Sequence, residues 1–295
     1  HFIPIPLFES SSPLFGPISG STVLHIYGSD FVQDKFYCRF GVKTVGATFL
    51  SSSHVTCVAP PQMIAVRLEL EVSVNGVHFI SSGLFYEYVN EIILSSVQPE
   101  FGPESGGTVL KIRGEDFGPR SQMMCEFGST NLRVPATRLS NDTVSCVTPS
   151  HIPGPVTIKL SNNGQQYSTS FLTFLVHAQQ FVTSLAPSTG VVGADTIGTV
   201  RGSNFMDSRG IACKFGTTVV LAQFINSSAL TCRSPRVTTT GVVNLEISSN
   251  GVDYTLSGMK FSYVASVVVL GVSPASGPLS GGTTIKLHVD QDFPL

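Results

Sequence analysis

The sequence contains no tryptophan, few charged residues and no long hydrophobic run, and each shortage removes a class of function. Charged residues are 12% of the 295 positions, about half the usual share, and nowhere do Lys or Arg cluster; single cations such as Lys111 and Arg113 are scattered. A nucleic-acid partner would need a basic stripe to neutralise phosphates, so none is expected. The longest uncharged apolar run, Tyr263 to Val272, is interrupted by Ser266 and Gly271 and is too short to cross a bilayer. Membrane attachment is therefore expected only through regions outside this segment. The chain opens on His1 with no Met and no charged leader, so it reads as a processed chain or a piece of a longer one.

Chemistry is missing too. The seven histidines, His1, His25, His54, His78, His151, His177 and His288, each fall on an expected strand face or turn. There is no Gly-x-Ser-x-Gly, no His-Glu-x-x-His and no paired carboxylates to join them. Gly28-Ser-Asp30, Gly114-Glu-Asp116 and Gly202-Ser-Asn204 recur, but one carboxylate per copy, replaced by Asn204 in one, is a poor calcium site. These read as turns in which the side chain caps the backbone. No catalytic residue, metal or cofactor is expected.

What is present is a repeat. Pro99 to Phe117 is echoed from Pro13 to Phe31, from Pro187 to Phe205 and from Pro274 to Phe293. The first Gly of each copy falls at Gly16, Gly102, Gly190 and Gly277, in steps of 86, 88 and 87 residues, the size of one small sandwich domain. Cys-x-Phe-Gly keeps the same step at Cys38, Cys125 and Cys213. So does an Asn-Gly pair followed by an aromatic: Asn75-Gly76 with Phe79, Asn163-Gly164 with Tyr167, and Asn250-Gly251 with Tyr254. Asn-Gly between alternating apolar residues signals a type I′ hairpin, which requires φ > 0 at both central positions. Three full copies are expected, at residues 1–90, 91–178 and 179–265, with 266–295 holding the first two strands of a fourth.

Within a copy the period is two. Leu110 and Ile112 face one way, Lys111 and Arg113 the other. No helical pattern of useful length appears. The fold class expected is all-β, with about seven short strands per copy in two packed sheets.

Cysteines fall two per copy: Cys38 with Cys57, Cys125 with Cys146, and Cys213 with Cys232. On extended strands Cys38 shares a face with Phe40, and Cys57 with Val55, so both sulfurs should enter one core. An intra-repeat disulfide follows, with buried free thiols and a zinc site as the alternatives; no CxxC and no recurrent His favours zinc. Bridged cysteines imply an oxidising compartment. Two sequons, Asn141-Asp-Thr143 and Asn226-Ser-Ser228, lie five or six residues before the second Cys of their copies and are candidate N-glycosylation sites in one shared turn.

These residues together resemble the IPT/TIG domain family, an immunoglobulin-like fold. The resemblance is carried by Ser105-Gly-Gly-Thr-x-Leu-x-Ile-x-Gly-x-Asp-Phe117, Cys125-x-Phe-Gly, Cys146-x-x-Pro149 and the Asn163-Gly turn with Tyr167. The first copy has Ser21 for the second Gly, and the third has Gly193-Ala-Asp-Thr196 in place of Ser-Gly-Gly-Thr, which leaves its first turn geometry open. The resemblance implies extracellular stalks of the plexin kind; other family branches bind DNA or accompany carbohydrate-active enzymes. Linkers between copies are short and apolar, with only Asn90 and Glu91 between Val89 and Ile92, so neighbouring copies should bury surface and form a semi-rigid rod. Strand lengths give roughly 30–40 Å per copy. The reading is a non-catalytic extracellular or cell-surface structural or adhesive module, part of a stalk or filament, contacting other proteins or copies of itself. The alternatives are the stalk of a plexin-like receptor ectodomain and a carbohydrate-binding accessory region, the latter resting on exposed tyrosines such as Tyr27.

Overall fold

The computed structural model describes residues 6–33, 36–118, 122–128 and 132–290. His1 and Phe293 of the sequence reading lie outside the described residues. In the first repeat the strands are β1 (Leu7–Ser12), β2 (Phe15–Pro17), β3 (Val23–Ser29), β4 (Tyr37–Phe40), β5 (Lys43–Ser51), β6 (His54–Val58), β7 (Val66–Ser73) and β8 (Ile80–Val89). They run β1-β3-β6-β5-β4-β7-β8-β2. Strand β5 serves two sheets: Lys43 to Gly46 pair with β4, while Ala47 to Ser51 pair with β6. The two sheets therefore fold over one core. Alternation makes that core, because β3 turns Leu24 and Ile26 inward and leaves Val23, His25 and Tyr27 outside. The neighbouring strand β6 adds Val55 and the facing sheet adds Phe40, Leu70 and Val72, each no more than 1% exposed. Each such side chain contributes roughly 1.5–3 kcal/mol by leaving water.

The second repeat comprises β9 (Ile93–Gln98), β10 (Phe101–Pro103), β11 (Val109–Glu115), β12 (Met124–Phe127), β13 (Leu132–Pro135), β14 (Thr137–Arg138), β15 (Thr143–Val147), β16 (Gly154–Ser161) and β17 (Leu172–His177). Its sheets are separate, β14-β15-β11-β9 against β10-β17-β16-β12-β13. The strand that is continuous as β5 is split here into β13 and β14. Pro135 stands at the break and, lacking an N–H, cannot extend the ladder. Leu110, Ile112, Ile158 and Leu160 form the centre of its core.

The third repeat, β18 (Phe181–Ala186), β19 (Thr189–Val191), β20 (Ile197–Ser203), β21 (Ala212–Phe215), β22 (Thr218–Asn226), β23 (Ala229–Arg233), β24 (Gly241–Ser248) and β25 (Lys260–Val264), repeats the order of the first. Beyond it β26 (Val269–Ser273) pairs with β27 (Lys286–Val289) as an isolated antiparallel ribbon. Among the described residues every element is a strand, as the sequence led us to expect. The chain forms two compact units, residues 1–178 and 179–295.

Three local features differ from the sequence reading or complete what it left open. First, the Asn-Gly pairs are not type I′ hairpin turns. Only Gly76, Gly164 and Gly251 have positive φ, and neither Asn75, Asn163 nor Asn250 does. Each Asn instead accepts two backbone N–H groups through Oδ1, Asn75 from Val77 and His78, Asn163 from Gln165 and Gln166, and Asn250 from Val252 and Asp253. A serine two residues earlier completes the loop: Ser73, Ser161 and Ser248 accept from the Gly N–H at 2.8–2.9 Å. The side chains close the turn locally, so no two-residue loop is needed. Second, the third repeat builds its opening turn differently. Gly20 with Ser21, and Gly106 with Gly107, supply paired left-handed residues, whereas here Gly193 alone is left-handed; the N–H of Ala194 still bonds the Val191 carbonyl, as Gly20 bonds Pro17 and Gly106 bonds Pro103. Third, the apolar residues Val268, Val269 and Leu270 do not bury against a neighbour; all three are more than half exposed.

Candidate interaction surfaces and the staple in each repeat

The strand pairs β4/β6, β12/β15 and β21/β23 bring the cysteines together across each core. The structure joins Cys38 to Cys57, Cys125 to Cys146 and Cys213 to Cys232, with Cα–Cα separations of 6.3, 6.5 and 6.1 Å. All six are at most 2% exposed, and no free cysteine remains among the described residues. Persistent bridges of this kind belong to an oxidising compartment, and the chain is therefore a secreted or cell-surface segment.

Within the first unit, the second repeat reaches the first through the side-chain-closed turn at Asn163. Gln165 forms a two-point bond with one backbone residue, accepting from the Val23 N–H at 2.9 Å and donating to the Val23 carbonyl at 3.0 Å. Gln166 donates to the Ser21 carbonyl at 3.0 Å and accepts from Thr22 Oγ1 at 2.7 Å. Asn163 Nδ2 donates to the Phe15 carbonyl and to Thr22 Oγ1, both at 3.3 Å. Asn163 is buried, so its own bonds are made away from bulk water, whereas those of Gln165 to Val23 are exposed. The direct hydrogen bonds between the two repeats form an amide clamp. Apolar linker residue Ile92 instead joins the core of its own repeat. Beside the linker, Asn90 donates to the Asp116 carboxylate at 3.2 Å. Asp116 and Asn204 are left-handed residues, and their side chains meet residues of the preceding linker, since Asn204 Nδ2 donates to the Gln179 carbonyl at 2.7 Å. They tie repeat to linker instead of capping their own turn.

The outer face of the β4 sheet and its counterparts carries a recurrent cluster. In the first repeat Arg39 pairs with Glu71 at 2.7 Å across β4/β7 and lies 4.2 Å over the ring of Phe79. In the third, Lys214 pairs with Glu246 at 3.8 Å and lies 5.1 Å over Tyr254. In the second the signs are exchanged between strands: Glu126 holds the cation's place on β12, and Arg133 of β13 pairs with it at 3.1 Å and covers Tyr167 at 4.8 Å. The hydrogen bond from Arg39 holds the Glu71 carboxyl below its ordinary pKa. The aromatic after each Asn-Gly is thus a platform for a neutralised cation. Sequence reasoning identified the aromatic but missed its cation and its acid, because the partner strand differs between copies.

Sequon residues Asn141 and Asn226 are both exposed, the first before β15 and the second at the end of β22, in corresponding turns. Among the described residues no group of three or more His, Cys, Asp or Glu is placed to hold a metal ion. Burial raises the phenol pKa of Tyr86 to about 12, and Tyr88 is raised further for the same reason.

The model of the IPT/TIG domain family matches residues 6–88, 93–176 and 181–263. The chain belongs to the IPT/TIG family. Among similar proteins, human Fibrocystin-L is 25% identical over 289 residues, spanning 96% of this chain and 7% of that protein. Plexin-2 of Caenorhabditis elegans is 25% identical over 290 residues, spanning 90% of this chain and 15% of that protein. The chain therefore spans a small part of the length of these relatives. Among solved structures, the full extracellular region of plexin A4 aligns with a TM-score of 0.49 and 17% identity, over 93% of this chain and 26% of that one. The three matched stretches coincide with the three sandwich repeats, and the β26/β27 ribbon lies beyond them.

Proposed function

We propose that these IPT/TIG repeats form a non-catalytic spacer within a larger extracellular protein, holding neighbouring repeats in a fixed relation and offering sheet faces to protein partners or to copies of itself. The observation that carries this is the amide clamp from Asn163, Gln165 and Gln166 onto residues 15–23. The domain limits 1–90, 91–178 and 179–265, with 266–295 as the start of a fourth repeat, are part of the proposal, as are N-glycans on Asn141 and Asn226. Among the alternatives, a plexin-like receptor stalk is supported by the relatives. The sugar-binding alternative loses support because the Tyr27 ring is stacked on His54 at 4.5 Å, which covers one face of the platform it named.

Small-angle scattering of the oxidised chain tests the spacer reading. Three repeats of roughly 30–40 Å each predict a maximum dimension of about 100 Å or more. A globule with a radius of gyration near that of one compact 295-residue domain, roughly 19 Å, would contradict it.

A further inference from the structure

Two histidines that are 29 residues apart in sequence meet on the outer face of the first repeat. His25 lies on β3 and His54 opens β6, and the register places Tyr27 opposite His54 and Thr56 opposite His25. His25 Nδ1 and His54 Nε2 are 3.0 Å apart, with the ring centroids 5.2 Å apart. Tyr27 stacks on His54 at 21° between ring planes and covers one face of its ring. Both imidazoles are partly buried at their ring bodies, and His25 lines a groove of about 480 Å³ with Ser12, Gln122, Arg133 and Tyr167. The equivalent positions of the second repeat carry Lys111 and Thr143, and of the third Thr199 and Ala229, so the pair belongs to the first repeat alone.

We propose that His25 and His54 form a two-imidazole chelate for a divalent transition metal, best suited to Cu²⁺. Metal–imidazole bonds are about 2.0–2.1 Å long, so an ion bonded to two nitrogens 3.0 Å apart sees them at about 91–97° once both rings turn from their nearly head-on hydrogen-bonded alignment to point at it. That is the cis angle of a tetragonal site, the geometry Cu²⁺ or Ni²⁺ selects, and it is narrow for tetrahedral zinc. Metal entry requires a lone pair on both facing nitrogens. The hydrogen-bonded pair supplies one, and the other appears when the donor imidazole moves its proton to its far nitrogen, so neutral imidazoles bind without net proton release. Solvent completes the coordination. Arg133 is the cation in the same groove, and its charge is offset by Glu126 at 3.1 Å. The other residues lining the groove, Met124 among them, are uncharged and do not repel the ion.

The test is a Cu²⁺ titration of the intact chain in glycine buffer, which competes away weak backbone sites, read by calorimetry and electron paramagnetic resonance. One ion per chain with imidazole nitrogen couplings is expected, and His25→Gln and His54→Gln should each weaken it about tenfold or more. His151→Gln, whose ring bonds the Ile152 carbonyl elsewhere in the chain, should leave it unchanged. Circular dichroism of each variant checks the fold. On the unsubstituted protein, nuclear magnetic resonance should show the His25 and His54 ring signals broadening together at substoichiometric Cu²⁺. Binding that survives in both variants, or broadening that reaches one ring without the other, would overturn the chelate.

Discussion

Asn163 Nδ2 reaches the carbonyl of Phe15, 148 residues earlier in the chain, at 3.3 Å. The same asparagine closes its own turn through Oδ1, so one residue both shapes a loop of the second repeat and docks it on the first. Shape and docking are coupled because the loop must be closed before Gln165 and Gln166 can point at residues 21–23.

That coupling gives a local prediction. The Val23 N–H donates to Gln165 Oε1 and not to the sheet, whereas Leu24 and Ile26 lie in the core. Gln165→Ala should speed hydrogen exchange at Val23 by about fivefold to tenfold, the loss of one bond worth about 1 kcal/mol, and leave Leu24 and Ile26 unchanged. Acceleration of all three would show that the first repeat had been destabilised as a whole.

The serine of the Ser-x-Asn-Gly turn is expected to matter in every copy. Ser248 Oγ accepts the Gly251 N–H at 2.9 Å and donates to Asn250 at 3.1 Å, and Ser248 is fully buried. Ser248→Ala removes the acceptor and should cost about 1–3 kcal/mol in chemical denaturation of the third repeat. Ser248→Thr, which keeps the hydroxyl, should recover part of that loss.

The first repeat should be the most sensitive to alkali. Tyr86 and Tyr88 are almost wholly buried there, whereas the second repeat has Phe174 and Val176 in the corresponding strand. A phenol whose pKa rises to about 12 on folding is held neutral by the core, so its contribution is fully present below pH 10, the unfolded value. It is lost as pH climbs from 10 to about 12. Tyr86→Phe should shift the alkaline transition of the first repeat upward, followed by phenolate absorbance together with circular dichroism.

Much of the architecture was legible in the sequence because a period-two pattern and three in-phase landmarks leave little freedom. Leu110 and Ile112 go inside, Lys111 and Arg113 outside, and the cysteines enter the same core. The rest depended on which strands become neighbours. Glu126 gives no hint that it stands in for Arg39, since its cation comes from β13 and not from β16. Gln165 and Gln166 look like ordinary solvated turn residues until the backbone of residues 21–23 is placed beside them. His25 and His54 look isolated for the same reason, as their meeting follows from the β3/β6 register. The Asn-Gly pairs misled because that signal identifies a turn without distinguishing a backbone-closed hairpin from one closed by side chains.

The central claim is that each repeat is an internally stapled sandwich, and peptide mapping under non-reducing conditions tests it most directly. Digestion of the alkylated, unreduced chain should yield three linked peptide pairs, joining Cys38 to Cys57, Cys125 to Cys146 and Cys213 to Cys232, with no alkylated cysteine. A closed loop of about 20 residues contributes roughly 3 kcal/mol on the chain-entropy model, so reduction should lower the unfolding midpoint of every repeat. A linked pair that crosses from one repeat to another, or six alkylated cysteines, would contradict the account.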